Sequence, residues 1–406
     1  MPFIIENAVI EYILQIMYDI KNTPETEEEV IVDNSLPTLI VEVVSFLMHR
    51  NAPSYVPYLI LCFVVCASLR FFLAGVKSTG AWFWAYILNI TIALLSIFLS
   101  ESFSTMFLGF VSLNISLYVI MSRGYIYSID AALRYFLLGS VAMSLFFFGG
   151  AVHLYLYGSF EFSSFTDIGA LALLTPSGGS AGLLFSQKLA YFSMFVLFLF
   201  KLGVFPFHFY VPSLYRTLNY GVLGLYSIPV KVALFFSFLG FVDNLGLLVV
   251  FMYPVFIFIG VGSLFVGTYG AIQQVRLRSF WAYSYISSMG FVFLGFPPSL
   301  ESATASAYFV HYISIWGIIF LFFGVLGQSS LKVSGIRTKA TQFVFISEIM
   351  AVGSADDKKP VLLLTLLLST LAGLPPAVGF VFKFGILSSL ASSLLGVLIL
   401  PSVLML

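Results

Sequence analysis

An apolar run from Leu189 to Phe200, long enough to be most of a membrane helix, leads straight into Lys201 and then Pro206. That junction constrains the fold more than any other stretch. A lysine at the centre of a membrane helix costs ~2.5–3.5 kcal/mol and marks a functional site by default. Pro206 has no amide hydrogen and its ring displaces the carbonyl one turn back, so the helix breaks or kinks just past the cation. Interrupted backbone at membrane depth is tolerated only where it is buried in protein or lines a wet cavity. Together these features describe an ion pathway.

A single lysine near a helix end can instead snorkel to the headgroups. Two further cases weigh against that reading. Lys231, in Tyr226-Ser227-Ile228-Pro229-Val230-Lys231-Val232, and Lys383, in Gly379-Phe380-Val381-Phe382-Lys383-Phe384-Gly385, are also cations in apolar sequence beside a proline or glycine. The chain has 406 residues, 60% hydrophobic and 9% charged, which fits an all-α polytopic membrane protein and no soluble domain. A formal net charge of zero gives no case for nucleic acid. Cys62 and Cys66 have no histidine or further cysteine beside them, so they read as packing rather than as a metal site. Met1 to Lys21 carries Glu6, Glu11 and Asp19 without a basic leader, so no cleavable signal peptide is expected.

Hydropathy divides the chain as follows. Residues 1–34 read as an amphipathic helix and an acidic linker, and 35–78 as peripheral N-terminal spans. Further spans are expected at 82–100, 103–122, 129–157, 186–218 (broken at Pro206), 222–241, 245–269, 279–297, 304–326 and 361–390 (broken at Pro375 to Gly379). The total comes to about eleven or twelve transmembrane helices. From the span at 82–100 onward, one set of loops collects Lys77, Arg123, Arg216, Arg276, Arg278, Lys332, Arg337, Lys339, Lys358 and Lys359. The alternate set holds Glu101, Glu161, Asp167, Asp243 and Glu301, with Lys188 its one clear cation. The positive-inside rule places the first set on the cytoplasmic or matrix side. Two interrupted helices, one with Lys201 before its proline and one with Lys383 after its prolines, suggest inverted repeats over 79–241 and 242–406.

Other polar groups fall among the lysines. His208 follows the Pro206 break and His311 lies in Tyr308-Phe309-Val310-His311-Tyr312; either could pass a proton or simply be a satisfied side chain. Arg134 stands four residues after Asp130, the spacing of an ion pair on one helix face. It reads either as an interfacial anchor or as a charge modulating a neighbouring lysine. No phosphate loop, metal cluster, dinucleotide fingerprint or hydrolase signature is present, so redox or bond-breaking chemistry belongs elsewhere.

Three stretches carry a resemblance. Lys201-Leu202-Gly203-Val204-Phe205-Pro206-Phe207-His208-Phe209-Tyr210-Val211-Pro212-Ser213-Leu214-Tyr215 resembles K-L-G-x-x-P-F-H-x-W-x-P-D-x-Y. Ala282-Tyr283-Ser284-Tyr285-Ile286-Ser287-Ser288-Met289-Gly290 resembles A-Y-S-S-I-S-H-x-G. Leu371-Ala372-Gly373-Leu374-Pro375-Pro376-Ala377-Val378-Gly379-Phe380-Val381-Phe382-Lys383 resembles L-A-G-I-P-P-x-x-G-F-x-x-K. Ala132 to Ser140 also resembles A-L-K-Y-F-x-x-G-S. These are motifs of subunit 2 of NADH:ubiquinone oxidoreductase (respiratory complex I), in family order.

The resemblance implies an antiporter-like, proton-translocating membrane-arm subunit with two inverted five-helix repeats. It implies that Lys201, Lys231 and Lys383 form the buried proton path, to which the reading of the residues themselves adds His311, His208, Arg134 and Glu101 as weaker candidates. It also implies no cofactor in this chain, with NADH, FMN, Fe–S clusters and ubiquinone handled elsewhere in the complex. The implied partners are other membrane-arm subunits and lipids, in the mitochondrial inner membrane or a bacterial plasma membrane. Rival readings are a subunit of a multisubunit cation/proton antiporter and a degenerate structural subunit.

Several positions depart from the pattern. Val111 stands where the family usually has the glutamate that pairs with the first lysine. Glu101, the nearest carboxylate on that span, is roughly ten residues or ~15 Å away along a helix and substitutes poorly. Arg134 replaces a lysine, Ser288 a histidine and Ser213 an acidic residue. The chain stops where the family usually has two more spans, so a separate polypeptide supplying those helices, or a shortened variant, is expected.

Overall fold

The structure is a computed structural model, described here for residues 81–100, 102–122, 126–161, 180–218, 220–244, 248–296, 303–333, 359–374 and 378–391. All of these belong to the unit Pro57–Leu406. The expected amphipathic helix, linker and first two spans, Cys62, Cys66 and Glu101 lie outside the described residues.

Twelve helices follow in order: α1 Ala81–Phe98, α2 Phe103–Ser122, α3 Ile126–Tyr157, α4 Ser180–Leu202, α5 Tyr210–Thr217, α6 Tyr220–Ser227, α7 Pro229–Asn244, α8 Leu248–Ile272, α9 Leu277–Leu294, α10 Ala303–Val333, α11 Lys359–Ala372 and α12 Val378–Ala391. Among the described residues there is no strand, only an isolated bridge between Ser102 and Glu161. Among the described residues, five segments are long and apolar enough to cross a membrane: Phe103–Ser122, Tyr127–Tyr157, Phe185–Leu202, Val222–Val242 and Met252–Ile272. Shorter apolar helices cover Ala85–Phe98, Thr304–Phe320 and Val378–Ser388. Helices dominate because a bilayer offers no water to unpaired amides and carbonyls, and a helix satisfies both internally.

α2, α3 and α4 pack antiparallel. Phe110 on α2 meets Phe146 on α3 at 5.7 Å and Phe198 on α4 at 5.8 Å between ring centroids. Phe198 continues to Phe238 and Phe241 of α7 at 5.5 and 5.3 Å. The result is a block of interlocked rings just beyond Lys201, on the side away from the break. Where helices must approach closely, the sequence supplies small residues. A methyl group added at Gly267 on α8 would meet the Ser287 backbone nitrogen of α9 at 2.5 Å, and one at Gly290 would meet Ser263 Oγ at 2.7 Å.

Both sequence-marked breaks are real, and they are built alike. α4 ends with Gly203 at φ 71° and α11 with Gly373 at φ 76°. At the first, the Gly203 N–H reaches the carbonyls of Leu199 and Phe200 at 3.0 Å each, and the Val204 N–H reaches Leu199 at 3.2 Å. At the second, the Gly373 N–H reaches Ser369 and Thr370 at 3.1 and 3.2 Å, and the Leu374 N–H reaches Ser369 at 3.2 Å. This is a Schellman termination at both sites, and it needs a residue tolerant of positive φ. Gly203→Ala should therefore destabilise the first break by about 1–2 kcal/mol from the left-handed backbone alone. The new methyl would also press on Val211 Cγ2 at 2.5 Å. A lower thermal midpoint of the purified complex would show it, and an unchanged midpoint would mean that the break does not depend on this glycine.

Several loop assignments differ from the sequence reading: Arg216 falls in α5, Asp243 in α7, Arg278 in α9, Lys332 in α10 and Lys359 in α11. Arg278, grouped with the loop cations, is buried in the first turn of α9 and donates to the Leu218 carbonyl at the end of α5, at 2.7 Å. A cation at a helix C-terminus satisfies an orphan carbonyl and favours the negative end of the helix dipole.

Candidate functional site

A Schellman turn leaves the last two carbonyls of its helix without backbone donors. At the first break these belong to Lys201 and Leu202. The Lys231 ammonium on α7 donates to the Lys201 carbonyl, and the Tyr285 hydroxyl on α9 to the Leu202 carbonyl. Tyr210 on α5 adds a 2.6 Å bond to the Phe200 carbonyl and receives the Tyr226 hydroxyl at 3.2 Å. Lys231 is fully buried, with its Nζ 4.7 Å from the Tyr226 ring centroid and 5.2 Å from that of Tyr285. The charge therefore rests on a helix C-terminus and two aromatic faces, both of which favour a cation.

The side chain of Lys201 turns the other way. It is 1% exposed, and its ammonium donates to Asn114 Oδ1 on α2 at 2.8 Å and to the Tyr135 hydroxyl on α3 at 2.9 Å. Gly139 makes room for this contact: an added methyl there would sit 3.1 Å from Asn114 Oδ1. Among the described residues, the partners of Lys201 are neutral. The carboxylate sought at Val111 is replaced, one helical turn along, by an amide. Neither Asn114 nor Tyr135 was singled out from the sequence. The signal for Asn114 was its being an amide within an otherwise apolar span. The signal for Tyr135 was its place in the Ala132–Ser140 motif.

The second break has the same two orphan carbonyls, those of Leu371 and Ala372. The Lys383 ammonium on α12 donates to both at 3.0 Å and lies 4.9 Å from the Phe291 ring centroid. Measured from the left-handed glycine, Lys383 does what Lys231 does at the first break. The sequence suggested Lys201 and Lys383 as counterparts, but the position equivalent to Lys201 in the second helix is Leu371. Lys231 and Lys383 are thus a matched pair, and Lys201 is an addition of the first half.

The remaining sequence candidates divide. His311, on α10, sits at the second break: its ring is 4.9 Å from Phe382, and its Nε2 is buried without a hydrogen bond beside Gly379. His208 lies in the first linker between Phe205 and Phe209, at 6.1 and 4.4 Å, rather than against either lysine. Arg134 pairs with Asp130 at 2.8 Å, and both side chains are 63% exposed. It is a surface pair, and the neighbouring Tyr135 is what turns inward to Lys201.

Two interrupted membrane helices, each with a last-turn carbonyl held by a lysine ammonium, define a transporter-like membrane protein. The chain belongs to the family described as NADH:quinone oxidoreductase/Mrp antiporter, TM, whose profile matches residues 100–405. Similar proteins include subunit N of the NADH-quinone oxidoreductase of Francisella tularensis subsp. holarctica, 28% identical over 344 residues, covering 82% of this chain and 66% of that one. Subunit N of Neisseria gonorrhoeae is 29% identical over 291 residues, covering 71% and 57%. Among solved structures, a chain of respiratory complex I from Thermus thermophilus aligns with a TM-score of 0.68 at 19% identity, covering 90% of this chain and 78% of that one. A chain of the Mrp complex from Dietzia sp. DQ12-45-1b aligns at 0.65 and 16%, covering 84% and 61%. The likeness to both structures establishes the fold. This chain spans 66% and 57% of the lengths of the two relatives named.

Proposed function

We propose that this chain is a membrane-arm subunit of an NADH:quinone oxidoreductase and moves protons across the membrane as quinone is reduced elsewhere in the complex. The observation that carries this reading is the coupling of the lysines through backbone: Lys231 holds the carbonyl of Lys201 itself, while Lys201 holds only neutral partners among the described residues. Both side chains are buried about the same turn of α4, and like charges in an interior of low polarity repel one another. A proton arriving at one therefore promotes release from the other. An amine can take up and release a proton at such a site, which an arginine cannot.

In this reading Lys201, Lys231 and Lys383 carry the path, with His311 at the second break, and residues 79–241 and 242–406 are the two repeats. NADH, FMN, Fe–S clusters and ubiquinone belong to other subunits. Other membrane-arm subunits and lipids are its partners. The relatives named above are bacterial, which favours a bacterial plasma membrane; the mitochondrial inner membrane is the alternative. A second reading, a subunit of a multisubunit cation/proton antiporter, draws on the nearly equal likeness to the Mrp chain. Redox subunits in the purified complex would argue against it.

The test is proton pumping per NADH oxidised in reconstituted complex carrying Lys201→Ala or Lys383→Ala, with assembly followed on native gels. Loss in both assembled variants is the expected result. Loss in Lys383→Ala alone would make the first half scaffold. Normal pumping in both would make the subunit structural.

A further inference from the structure

The hydroxyl of Tyr210 donates where no donor is missing. The Phe200 carbonyl that it reaches at 2.6 Å already accepts the Gly203 N–H at 3.0 Å. The Lys201 carbonyl, 3.3 Å from the same hydroxyl, already accepts the Lys231 ammonium. A hydroxyl has one proton to give, so Tyr210 serves one of these carbonyls fully at a time. Neighbours from both lysine sites hold it in place. The Tyr226 hydroxyl donates to it at 3.2 Å, and the Tyr226 ring faces Lys231 Nζ at 4.7 Å. The Tyr135 ring lies 5.5 Å from its own, and the Tyr135 hydroxyl receives the Lys201 ammonium. The resembled motif K-L-G-x-x-P-F-H-x-W has tryptophan where this chain has Tyr210. An indole N–H donates but could not receive the Tyr226 hydroxyl.

We propose that Tyr210 is a positioning residue that takes over the Lys201 carbonyl when Lys231 lets go of it, and so allows Lys231 to leave its site and return. The proposal rests on the proton-moving reading above, in which Lys231 gives up its proton. A neutral amine is a weaker donor than an ammonium, and its attraction to a helix C-terminus and to two aromatic faces goes with its charge. Once Lys231 moves off, the Lys201 carbonyl is a buried acceptor without a partner, which slows any step that creates it. By turning its O–H from Phe200 to Lys201, Tyr210 fills that vacancy, while Gly203 keeps the Phe200 carbonyl satisfied. No O–H bond breaks in the exchange: Tyr210 keeps its proton throughout.

Tyr210→Phe keeps the ring and removes the hydroxyl. In assembled, reconstituted complex its thermal midpoint should match that of the parent, because every carbonyl at the break still has a donor. Its pumping rate should fall about tenfold, the effect of one buried acceptor left open during turnover. Added to Lys231→Leu, where Tyr210 is the donor that remains, the same substitution should lower the midpoint further. Added to Lys231→Arg, which retains a donor to the carbonyl, it should not. Equal lowering in the parent, leucine and arginine backgrounds would make the hydroxyl ordinary packing and overturn the proposal. If the leucine double variant does not assemble, the parent and arginine backgrounds and the pumping rate decide in the same way. A parent pumping rate in Tyr210→Phe, with pumping lost in Lys231→Arg, would also overturn the proposal and leave the proton-moving reading standing. Pumping by Lys231→Arg would overturn that reading for Lys231, and the proposal with it.

Discussion

Lys231→Leu should abolish proton transport and lower the stability of the subunit at once, whereas Lys231→Arg should separate the two effects. The ammonium of Lys231 is the donor to the Lys201 carbonyl, at a helix end that two tyrosine rings enclose. Leucine fills much of the volume but leaves that carbonyl with only the 3.3 Å contact from Tyr210. An unsatisfied buried acceptor costs about 1–3 kcal/mol, and more where no water can replace the donor. Arginine keeps a cation and donors at the break but holds its proton under all working conditions. The thermal midpoint of the complex should therefore fall for leucine and recover substantially for arginine, while pumping is lost in both. Pumping by the arginine variant would show that Lys231 acts as a fixed charge and never gives up its proton.

Asn114→Asp should slow transport by about tenfold for each 1.4 kcal/mol of added hold on the proton. The side chain is nearly isosteric and already lies 2.8 Å from Lys201 Nζ, so the substitution turns a neutral hydrogen bond into an ion pair without moving either group. An opposite charge at that distance favours the loaded lysine, and its proton is then released less readily. Assembly should be unharmed, because a buried pair with good geometry roughly balances its own desolvation. The pre-steady-state rate of proton release checks this. A rate equal to that of the parent would mean that Lys201 keeps its proton throughout the cycle. Val111→Glu, one turn earlier on α2, is a weaker intervention because its reach to Lys201 is not set by an existing bond.

The breaks were legible in the sequence because they violate the grammar of a membrane span. Lysine, proline and glycine have little reason to interrupt a run such as Leu189 to Phe200, and the structure gives each a place: cation, linker and left-handed turn. The partners of Lys201 were not legible for a different reason. Reading for a carboxylate at Val111 passed over an amide one turn away, and a tyrosine among 22 tyrosines carries little information by itself. Arg134 shows the limit of charge as a signal, since its face on α3 depends on how that helix is rotated against α2 and α4. Lys201 and Lys383 each stand beside a proline, whereas the physical register is set from the glycine that ends each helix, and by that register Lys383 matches Lys231. Tyr285 could not be placed at all without knowing that α9 passes the end of α4.

The ring block of Phe110, Phe146, Phe198, Phe238 and Phe241 has an electrical consequence. Interlocked aromatic rings polarise weakly and exclude water, so they behave as a dielectric spacer between Lys201 and the far face of the membrane. A voltage imposed on the bilayer falls mainly across such a layer. Moving one elementary charge through the full potential is worth ~2.3 kcal/mol per 100 mV. In the proton-moving reading proposed above, the steps that carry charge past this block bear that load.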